Sequence, residues 1–236
     1  MAHFASAERE STEIYKLIIG CIVPRPIAFV ATRSAVGQPN LAPFSFFNGV
    51  CSNPPTLAFT VIDRGKRMKD TSRNIGEHPE FIVHIVSEAI ATQMNVTCGE
   101  YGAHIDEFKE AGLTPVSGTA VDVPRVKEAL VAMECRMTHH IRLGAKAPYA
   151  SHILGEILYW HVDDALLMER GRVDADALKA IGRMGGVEYT RTADRFAMER
   201  PVVNEEDPRS VSSYINSPKH APVVGAKFRS TQSGTP

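Results

Sequence analysis

Short apolar runs separated by Pro, Gly and Asn clusters dominate the first two thirds of the chain, a pattern that indicates strands joined by turns. The longest run covers residues 130–143, where Val131, Met133 and Cys135 fall on one face. Alternation of this length predicts a half-buried antiparallel strand, with residues 153–162 as its neighbour. Further strands are predicted at residues 27–33, 41–50, 56–62, 80–86 and 195–198.

Helical patterns are short and fall between the predicted strands. Ser11 or Thr12 is the expected cap of a first helix, which Pro24 and Pro26 bring to an end. Residues 66–74 lead into a second helix that ends near His78. Further helices are predicted at residues 87–97 with the cap Ser87, at residues 104–111 before Gly112, and after a cap at Asp174 or Asp176.

The order of the elements predicts a mainly β fold with peripheral helices, because strands come first and no regular strand–helix alternation follows. This order favours a barrel over a doubly wound sheet. Beyond Pro201 the pattern fades into a stretch rich in prolines and small polar residues. We therefore predict one domain over residues 1–203 and an extended arm or partly disordered tail over residues 204–236.

Charge and composition exclude several classes of function. A net charge of −1 over 236 residues provides no bias towards nucleic acid or an anionic membrane. The apolar runs are too short to span a bilayer, and residues 1–12 lack the pattern of a signal peptide. The four scattered cysteines form no CxxC pair, which is typical of a reducing compartment. We expect a cytoplasmic protein without nucleic-acid or membrane partners.

Residues 40–48, Asn-Leu-Ala-Pro-Phe-Ser-Phe-Phe-Asn, combine aromatic and polar side chains within one predicted strand. A flavin requires both, since its ring needs an apolar wall and its pyrimidine edge needs hydrogen-bonding groups. Ser45 and Asn48 are candidates for the hydrogen bonds, and Phe46 and Phe47 for the wall. The same pattern also suits a barrel strand whose phenylalanines pack in the core.

A basic segment, Lys-Arg-Met-Lys-Asp-Thr-Ser-Arg-Asn at residues 66–74, leads into the second predicted helix. Free backbone N–H groups and the positive end of the helix dipole favour an anion at such a position. Lys69, Thr71 and Arg73 are candidates for a monophosphate site, in which Asp70 caps the helix or orients a basic side chain. The alternative is a solvated helix N-terminus that Asp70 or Thr71 caps.

Motifs for other chemistry are missing from the sequence. No GxGxxG follows a predicted strand, no GxxxxGK[ST] occurs, and the glycines of residues 182–186 lack that spacing. The histidines form no HExxH pattern, and the adjacent His139 and His140 point to opposite faces of a strand. We therefore expect no Rossmann-type nucleotide loop and no metal site.

An ordered set of short motifs resembles the flavin reductase-like family over roughly residues 13–201. The set begins with residues 24–30, 40–48 and 53–55, followed by Lys69-Asp70-Thr71 with Asn74-Ile75. It continues with Phe108 and residues 111–113, 124–126, 134–135, 155–157 and 183–186, and it ends with Tyr189. Each motif is weak by itself, and their common order makes the set specific.

The resemblance implies a split β-barrel of Greek-key type that forms a homodimer with FMN near the interface. It implies a phosphate site at Lys69 and Thr71, with Asn74 nearby, and a ring site along residues 40–48. The implied cofactor-binding residues are Thr32, Asn40, Ser45, Phe46, Phe47, Asn48, Lys69, Asp70, Thr71 and Asn74. Arg183, Gly186 and Tyr189 are implied to lie at the open face of the ring, on the substrate or nicotinamide side. An ordinary glycine turn is the alternative for that last segment.

The implied activity is that of an NAD(P)H-dependent flavin oxidoreductase. NADH or NADPH reduces FMN, and the electrons pass to a partner oxygenase or to a bound small-molecule substrate. Residues 163–236 extend beyond the compact reductases and suit a protein that retains its flavin. Two alternatives stay open: a flavoprotein that carries or transfers electrons without nicotinamide turnover, and a split-barrel protein for another flavin, haem or pyridoxal phosphate.

Overall fold

The computed structural model describes residues 1–63, 68–145 and 147–198. The helices are α1 (Ser11–Cys21), α2 (Asp70–Glu77), α3 (Ala91–Val96), α4 (Glu107–Glu110) and α5 (Ala175–Leu178). The strands are β1 (Ala28–Arg33), β2 (Pro39–Phe44), β3 (Phe47–Ser52), β4 (Pro55–Asp63), β5 (Glu80–Ile85), β6 (Pro115–Ser117), β7 (Pro124–Val126), β8 (Val131–Leu143), β9 (Tyr149–Val162), β10 (Ile181–Arg183) and β11 (Tyr189–Arg191). Short 3-10 turns lie at Ser6–Glu8, Glu88–Ile90, Asp164–Leu166 and Glu169–Gly171.

Seven antiparallel strands form the main sheet, in the order β2-β1-β5-β8-β9-β4-β3. Two small ribbons accompany it, one of β6 with β7 and one of β10 with β11. This architecture confirms the predicted mainly β fold with few helices. None of the described helices is long and apolar enough to cross a membrane.

The sheet is strongly curled, because its two edge strands follow each other in the chain. Strand β2 ends at Phe44 on one edge, and β3 begins at Phe47 on the other. Three residue steps span at most about 11 Å, so the two edges approach each other at Ser45 and Phe46. The Thr60 amide donates to the Phe46 carbonyl over 2.8 Å and fixes the connection against β4.

Two apolar clusters lie on the two faces of the curled sheet, and β1 contributes to both. Ala28 and Val30 belong to one cluster, and Phe29 and Ala31 to the other. The first cluster holds a series of aromatic contacts, with ring centroids 5.5 Å apart for Phe44–Phe59 and 5.4 Å apart for Phe59–Phe81. The second includes apolar residues of α3, α4 and the segments around them: Ile90, Met94, Phe108, Ala111 and Leu113.

Two strand predictions are wrong and a third is correct only in part. The strand expected at residues 41–50 is two strands, because the chain leaves β1 at Phe44 and joins β4 from Phe47. The antiparallel strand expected at residues 130–143, with its neighbour at residues 153–162, is confirmed as β8 and β9. Strand β8 is not half-buried, however, because it is buried on both faces up to Cys135 and largely exposed beyond it. Bulges in its pairing with β9 interrupt the alternation. The strand expected at residues 195–198 is irregular.

Predicted helix starts are partly correct. Asp174 caps α5 by accepting hydrogen bonds from the amides of Asp176 and Ala177, as expected. The prediction of Ser11 or Thr12 as the cap of α1 is wrong, because Glu10 occupies the cap position. The Glu10 amide donates to Glu13 Oε2 over 3.3 Å, and the Glu13 amide donates to the Glu10 carbonyl over 2.9 Å. The helix expected at residues 87–97 is divided into a 3-10 turn and α3, and that expected at 104–111 contains only the four residues of α4.

The chain divides into two units, Met1–Arg191 and Thr192–Pro236. The first contains every helix and strand given above. Within the described start of the second unit, the Arg195 side chain donates to the Thr192 carbonyl over 2.9 Å. The predicted tail at residues 204–236 lies outside the described residues, and the boundary at residue 203 stays a prediction.

Candidate functional site

Four buried polar side chains join β1, β2 and the start of α2. Asn40 donates through Nδ2 to the hydroxyls of Thr32 and Thr71, over 3.1 and 3.0 Å. Asn74 donates to the same Thr32 hydroxyl over 3.1 Å. None of the four is more than 7% exposed. This amide–hydroxyl network therefore fixes helix α2 against the edge of the sheet. The sequence analysis named all four residues as cofactor-binding, and their bonds to one another were not predicted.

The N-terminus of α2 has the properties of an anion site. The Lys69 amide donates to Asp63 Oδ1 over 2.7 Å, while the following amides, those of Thr71 and Ser72, have no acceptor within the helix. The Ser72 hydroxyl is buried and lacks a hydrogen-bond partner in the described part of the chain. Because Asn40 donates to the Thr71 oxygen, the Thr71 hydroxyl keeps its own proton for an acceptor.

The predicted role of Asp70 as helix cap is wrong, since Lys69 occupies the cap position. Asp70 instead lies in the first turn and pairs with Arg73 over 2.5 Å, which is the orienting role that was the other expectation. The Arg73 guanidinium also donates to Asn74 Oδ1 over 3.4 Å. Residues 66 and 67 of the basic segment lie outside the described residues.

The phenylalanine-rich segment lies beside this helix start. The Lys69 ammonium is 5.7 Å from the ring centroid of Phe44, the residue that precedes Ser45. Phe44 itself is buried in the core, whereas Ser45, Phe46 and Phe47 are half-buried and Asn48 is exposed. The core interpretation is therefore correct for Phe44. The half-buried Phe46 and Phe47 leave ring surface for a bound molecule.

Arg183, Gly186 and Tyr189 are brought together by the β10–β11 hairpin. The Arg183 guanidinium donates to the Gly186 carbonyl and lies 4.4 Å from the centroid of the Tyr189 ring. The Tyr189 hydroxyl donates to Asn95 Oδ1 over 3.3 Å, and burial raises the pKa of this hydroxyl. The glycine turn at Gly186, with φ of 59°, is thus part of a cationic and aromatic group on the hairpin.

Arg25 connects the hairpin with the bend between β2 and β3, and its role was not predicted. Its guanidinium donates to the carbonyls of Ile19, Ile22 and Met184, over 2.7, 2.6 and 2.9 Å. It also donates to Ser45 Oγ over 3.4 Å and lies 6.0 Å from the centroid of Phe46. Two backbone hydrogen bonds join Arg25 to Arg183. The sequence signal was an arginine between two prolines immediately before an apolar strand.

Cys98, just beyond α3, is an exposed free cysteine. No group of metal-binding side chains is found among the described residues.

A narrow cleft lies behind the amide–hydroxyl network. Its lining is mostly polar and comes from the β1–β2 turn, β2, α2 and the segment that leads into α4: Ser34, Gln38, Pro39, Asn40, Asp70, Arg73, Asn74, Ala103, Ile105 and Glu107. Glu107 is nearly buried there and accepts a hydrogen bond from the Leu41 amide over 3.2 Å. The cleft is too small for a flavin, and Phe46, Phe47 and Arg183 are not among its residues.

Known proteins share both the sequence pattern and this fold. Component B of nitrilotriacetate monooxygenase from Bacillus cereus is 36% identical, with a TM-score of 0.80 over 84% of this chain and 98% of that one. The 2-nitrobenzoate 2-nitroreductase NbaA of Pseudomonas fluorescens is 33% identical, with a TM-score of 0.76 over 88% and 98% of the two chains. A split-barrel protein from Shewanella frigidimarina, at 22% identity and a TM-score of 0.73 over 85% and 99%, supports the fold alone.

The family comparison covers the site and most of the sheet. The model of the flavin reductase like domain matches residues 19–175, which include Arg25, the amide–hydroxyl network and the bend at Ser45. The β10–β11 hairpin lies beyond this match. Since the match spans more than half of the sequence, the chain belongs to the flavin reductase-like family.

Proposed function

We propose that this protein is an FMN-dependent oxidoreductase that takes electrons from NADH or NADPH. Family membership supports a flavin oxidoreductase. The single observation that supports FMN as the cofactor is the position of Lys69 between the α2 N-terminus and Phe44. One extended molecule with a phosphate at one end and a flat ring further along fits this arrangement. When bound, FMN supplies the two-electron chemistry, and the protein binds, orients and shields it.

The residues present fit a monophosphate at the start of α2. Lys69 provides a cation, the first turn provides amides, and the Thr71 hydroxyl provides a proton for a hydrogen bond. The buried Ser72 hydroxyl is a further donor without a partner among the described residues. Asp70 does not contact the anion in this proposal, because its carboxylate pairs with Arg73.

The ring of FMN is held by the bend between β2 and β3 in this proposal. Phe46 and Phe47 provide apolar surface, while Ser45 and Asn48 provide polar atoms for the ring edge and the ribityl chain. Thr32 is fully buried and supports the site through its hydrogen bonds with Asn40 and Asn74. The hairpin residues Arg183 and Tyr189 then face the other side. An arginine stacked on a tyrosine suits a planar anionic partner, either a nicotinamide dinucleotide or a carboxylate-bearing substrate.

The phosphate site predicts a specific loss of affinity. Replacing Lys69→Ala and Thr71→Val together removes a cation and a hydroxyl, and we expect a loss of about 1–3 kcal/mol for each charge-assisted bond. Fluorescence titration with FMN measures this loss, and riboflavin, which lacks the phosphate, should bind both proteins alike. Lys109→Ala, at a lysine that is 82% exposed, is the matched control. Unchanged FMN affinity in the double variant would refute the phosphate site.

The oxidoreductase activity is tested by anaerobic titration. We expect the protein with FMN to lose the visible absorbance of oxidised flavin when NADH or NADPH is added. If neither nicotinamide bleaches a tightly bound flavin, the protein is a carrier or electron-transfer flavoprotein instead. Flavin that stays bound through gel filtration favours a bound second substrate, and flavin that is released favours transfer to a partner oxygenase.

We also propose a split barrel of Greek-key type that forms a homodimer with the flavin near its interface. The curled sheet supports the barrel, and apolar side chains exposed at the end of α1 support an interface: Leu17, Ile18, Ile22 and Val23. Sedimentation of the protein should give twice the chain mass, and removal of FMN should weaken the dimer. Ile22→Glu should shift the equilibrium towards monomer, and a monomeric wild-type protein would contradict this proposal.

A further inference from the structure

Glu107 is a nearly buried carboxylate that no step of the proposed function uses. It is the first residue of α4, and the Asp106 carboxylate caps this helix by accepting from the Phe108 amide over 3.1 Å. Only 7% of Glu107 is exposed. A buried ionisable group is costly unless it is paired, so its partners indicate what it does.

The partner of Glu107 is the backbone of the strand that carries the network. Strand β2 is an edge strand, and β1 on its other side satisfies only half of its amides. Glu107 Oε2 accepts the outward-facing Leu41 amide over 3.2 Å. Leu41 directly follows Asn40, whose side chain binds both Thr32 and Thr71. The carboxylate therefore holds β2 at the residue next to the centre of the network.

We propose that Glu107 is a positioning residue for the flavin site, which acts through the Leu41 amide to keep Asn40 in place beside the start of α2. The inference depends on the proposed function for the identity of the ligand. The contact with Leu41 itself is independent of any ligand.

The Glu107 carboxylate lines the same cleft as residues from the first turn of α2. The charged groups around the cleft are Asp70 and Arg73 from α2 and Asp106 at the start of α4, while β2 contains no ionisable side chain. Burial, with the charges of Asp70 and Asp106, raises the pKa of Glu107 to about 7. Glu107 thus changes charge near neutral pH, and its ionised form opposes an anion at α2.

The first experiment follows the Leu41 amide in the protein without flavin. Hydrogen exchange of this amide should be about tenfold faster in Glu107→Ala, because an edge-strand amide loses its acceptor. Glu107→Gln, which keeps an acceptor oxygen, should restore most of the protection. In the control variant Glu110→Ala, at an exposed position of the same helix, the Leu41 amide should exchange at the wild-type rate. Equal exchange at Leu41 in Glu107→Ala and wild type would overturn the proposal.

The second experiment measures FMN affinity between pH 6 and pH 8. At pH 6 we expect Glu107→Ala to bind about tenfold more weakly than wild type, and Glu107→Gln within about twofold. At pH 8 Glu107→Gln should bind FMN more tightly than wild type, because the glutamine cannot acquire the opposing charge. A merely structural role would not produce this dependence of the affinity difference on pH. Wild-type protein without FMN affinity would refute the proposed function. If Glu107→Ala binds FMN normally although hydrogen exchange at its Leu41 amide is faster, the positioning role is refuted.

Discussion

At the scale of single residues, the site is organised by buried polar side chains that bind one another. The Thr32 hydroxyl is the common acceptor for the amides of Asn40 and Asn74. The sequence analysis named these residues as cofactor-binding, because the resemblance to the flavin reductase-like family rests on short local motifs that lie at or near them. It did not identify the roles of Arg25 and Glu107, because their partners lie up to 159 and 66 residues away in the chain. No short-range pattern encodes such contacts.

Thr32 is therefore expected to be sensitive to removal of its hydroxyl. Thr32→Val keeps the shape of the side chain but leaves two buried amide donors without an acceptor, at a cost of about 1–3 kcal/mol each. We expect a corresponding decrease in the free energy of unfolding, measured in urea. Thr32→Ser retains the oxygen and should be much closer to wild type. A Thr32→Val protein as stable as Thr32→Ser would show that the network contributes little.

At the scale of elements, apolar patterning predicted the positions of most strands and one pairing, that of residues 130–143 with residues 153–162, but not the other partners. Residues 41–50 read as one strand because their apolar pattern continues through Ser45, whereas the structure assigns the two halves to opposite edges. In β8, five consecutive residues are buried, so both faces of the strand are covered there. The alternation of apolar and polar residues therefore no longer indicates which face is buried. A pattern along one chain segment reports burial and cannot report which segment covers it.

Strand β9 contains a position where packing excludes any side chain. A Cβ atom at Gly155 would lie 2.3 Å from Cζ of Phe81, a ring that is fully buried. Gly155→Ala should therefore lower the free energy of unfolding by about 1–3 kcal/mol through overpacking. Gly49→Ala in the exposed strand β3 is the matched control, since nothing lies within 4 Å of its Cβ position. Similar urea midpoints for the two variants would contradict this account.

At the scale of the whole molecule, buried ionisable groups link stability to pH. His84 is fully buried, with Nδ1 2.8 Å from the Phe29 carbonyl and Nε2 accepting the Val126 amide over 2.9 Å. This arrangement suits a neutral imidazole that donates from Nδ1. Burial lowers the pKa of His84 to about 4. Below pH 6.5, the ordinary pKa of histidine, the unfolded chain therefore binds a proton at His84, whereas the folded chain does not do so until the pH nears 4.

The contribution of His84 to stability is full above pH 6.5 and is lost as the pH falls towards 4. We expect the difference in unfolding free energy between wild type and His84→Gln to decrease by about 3 kcal/mol over this interval. Urea unfolding at several pH values measures it. A difference that is constant with pH would show that His84 titrates alike in both states.

The contribution of Glu107 to stability changes with pH in the opposite direction to that of His84, over nearly the same pH interval. Its raised pKa, about 7, means that the folded state retains a proton that the unfolded state has released, so this contribution is lost as the pH rises from 4.5 to 7. Wild type should therefore lose stability relative to Glu107→Gln as the pH rises, which urea unfolding of the two proteins detects. Parallel stability curves for these two proteins would contradict the raised pKa.

The connection at Ser45 and Phe46 has a consequence for how the two walls of the proposed flavin site meet. One wall, with Asn40 and the start of α2, belongs to the β2 border of the sheet, and the other, with Phe47 and Asn48, to the β3 border. Two residues tether these borders, so each experiences the other at a very high effective concentration. A long flexible peptide inserted between Ser45 and Phe46 would lower the effective concentration of one wall near the other. Ligand affinity would then fall although every contacting side chain remained.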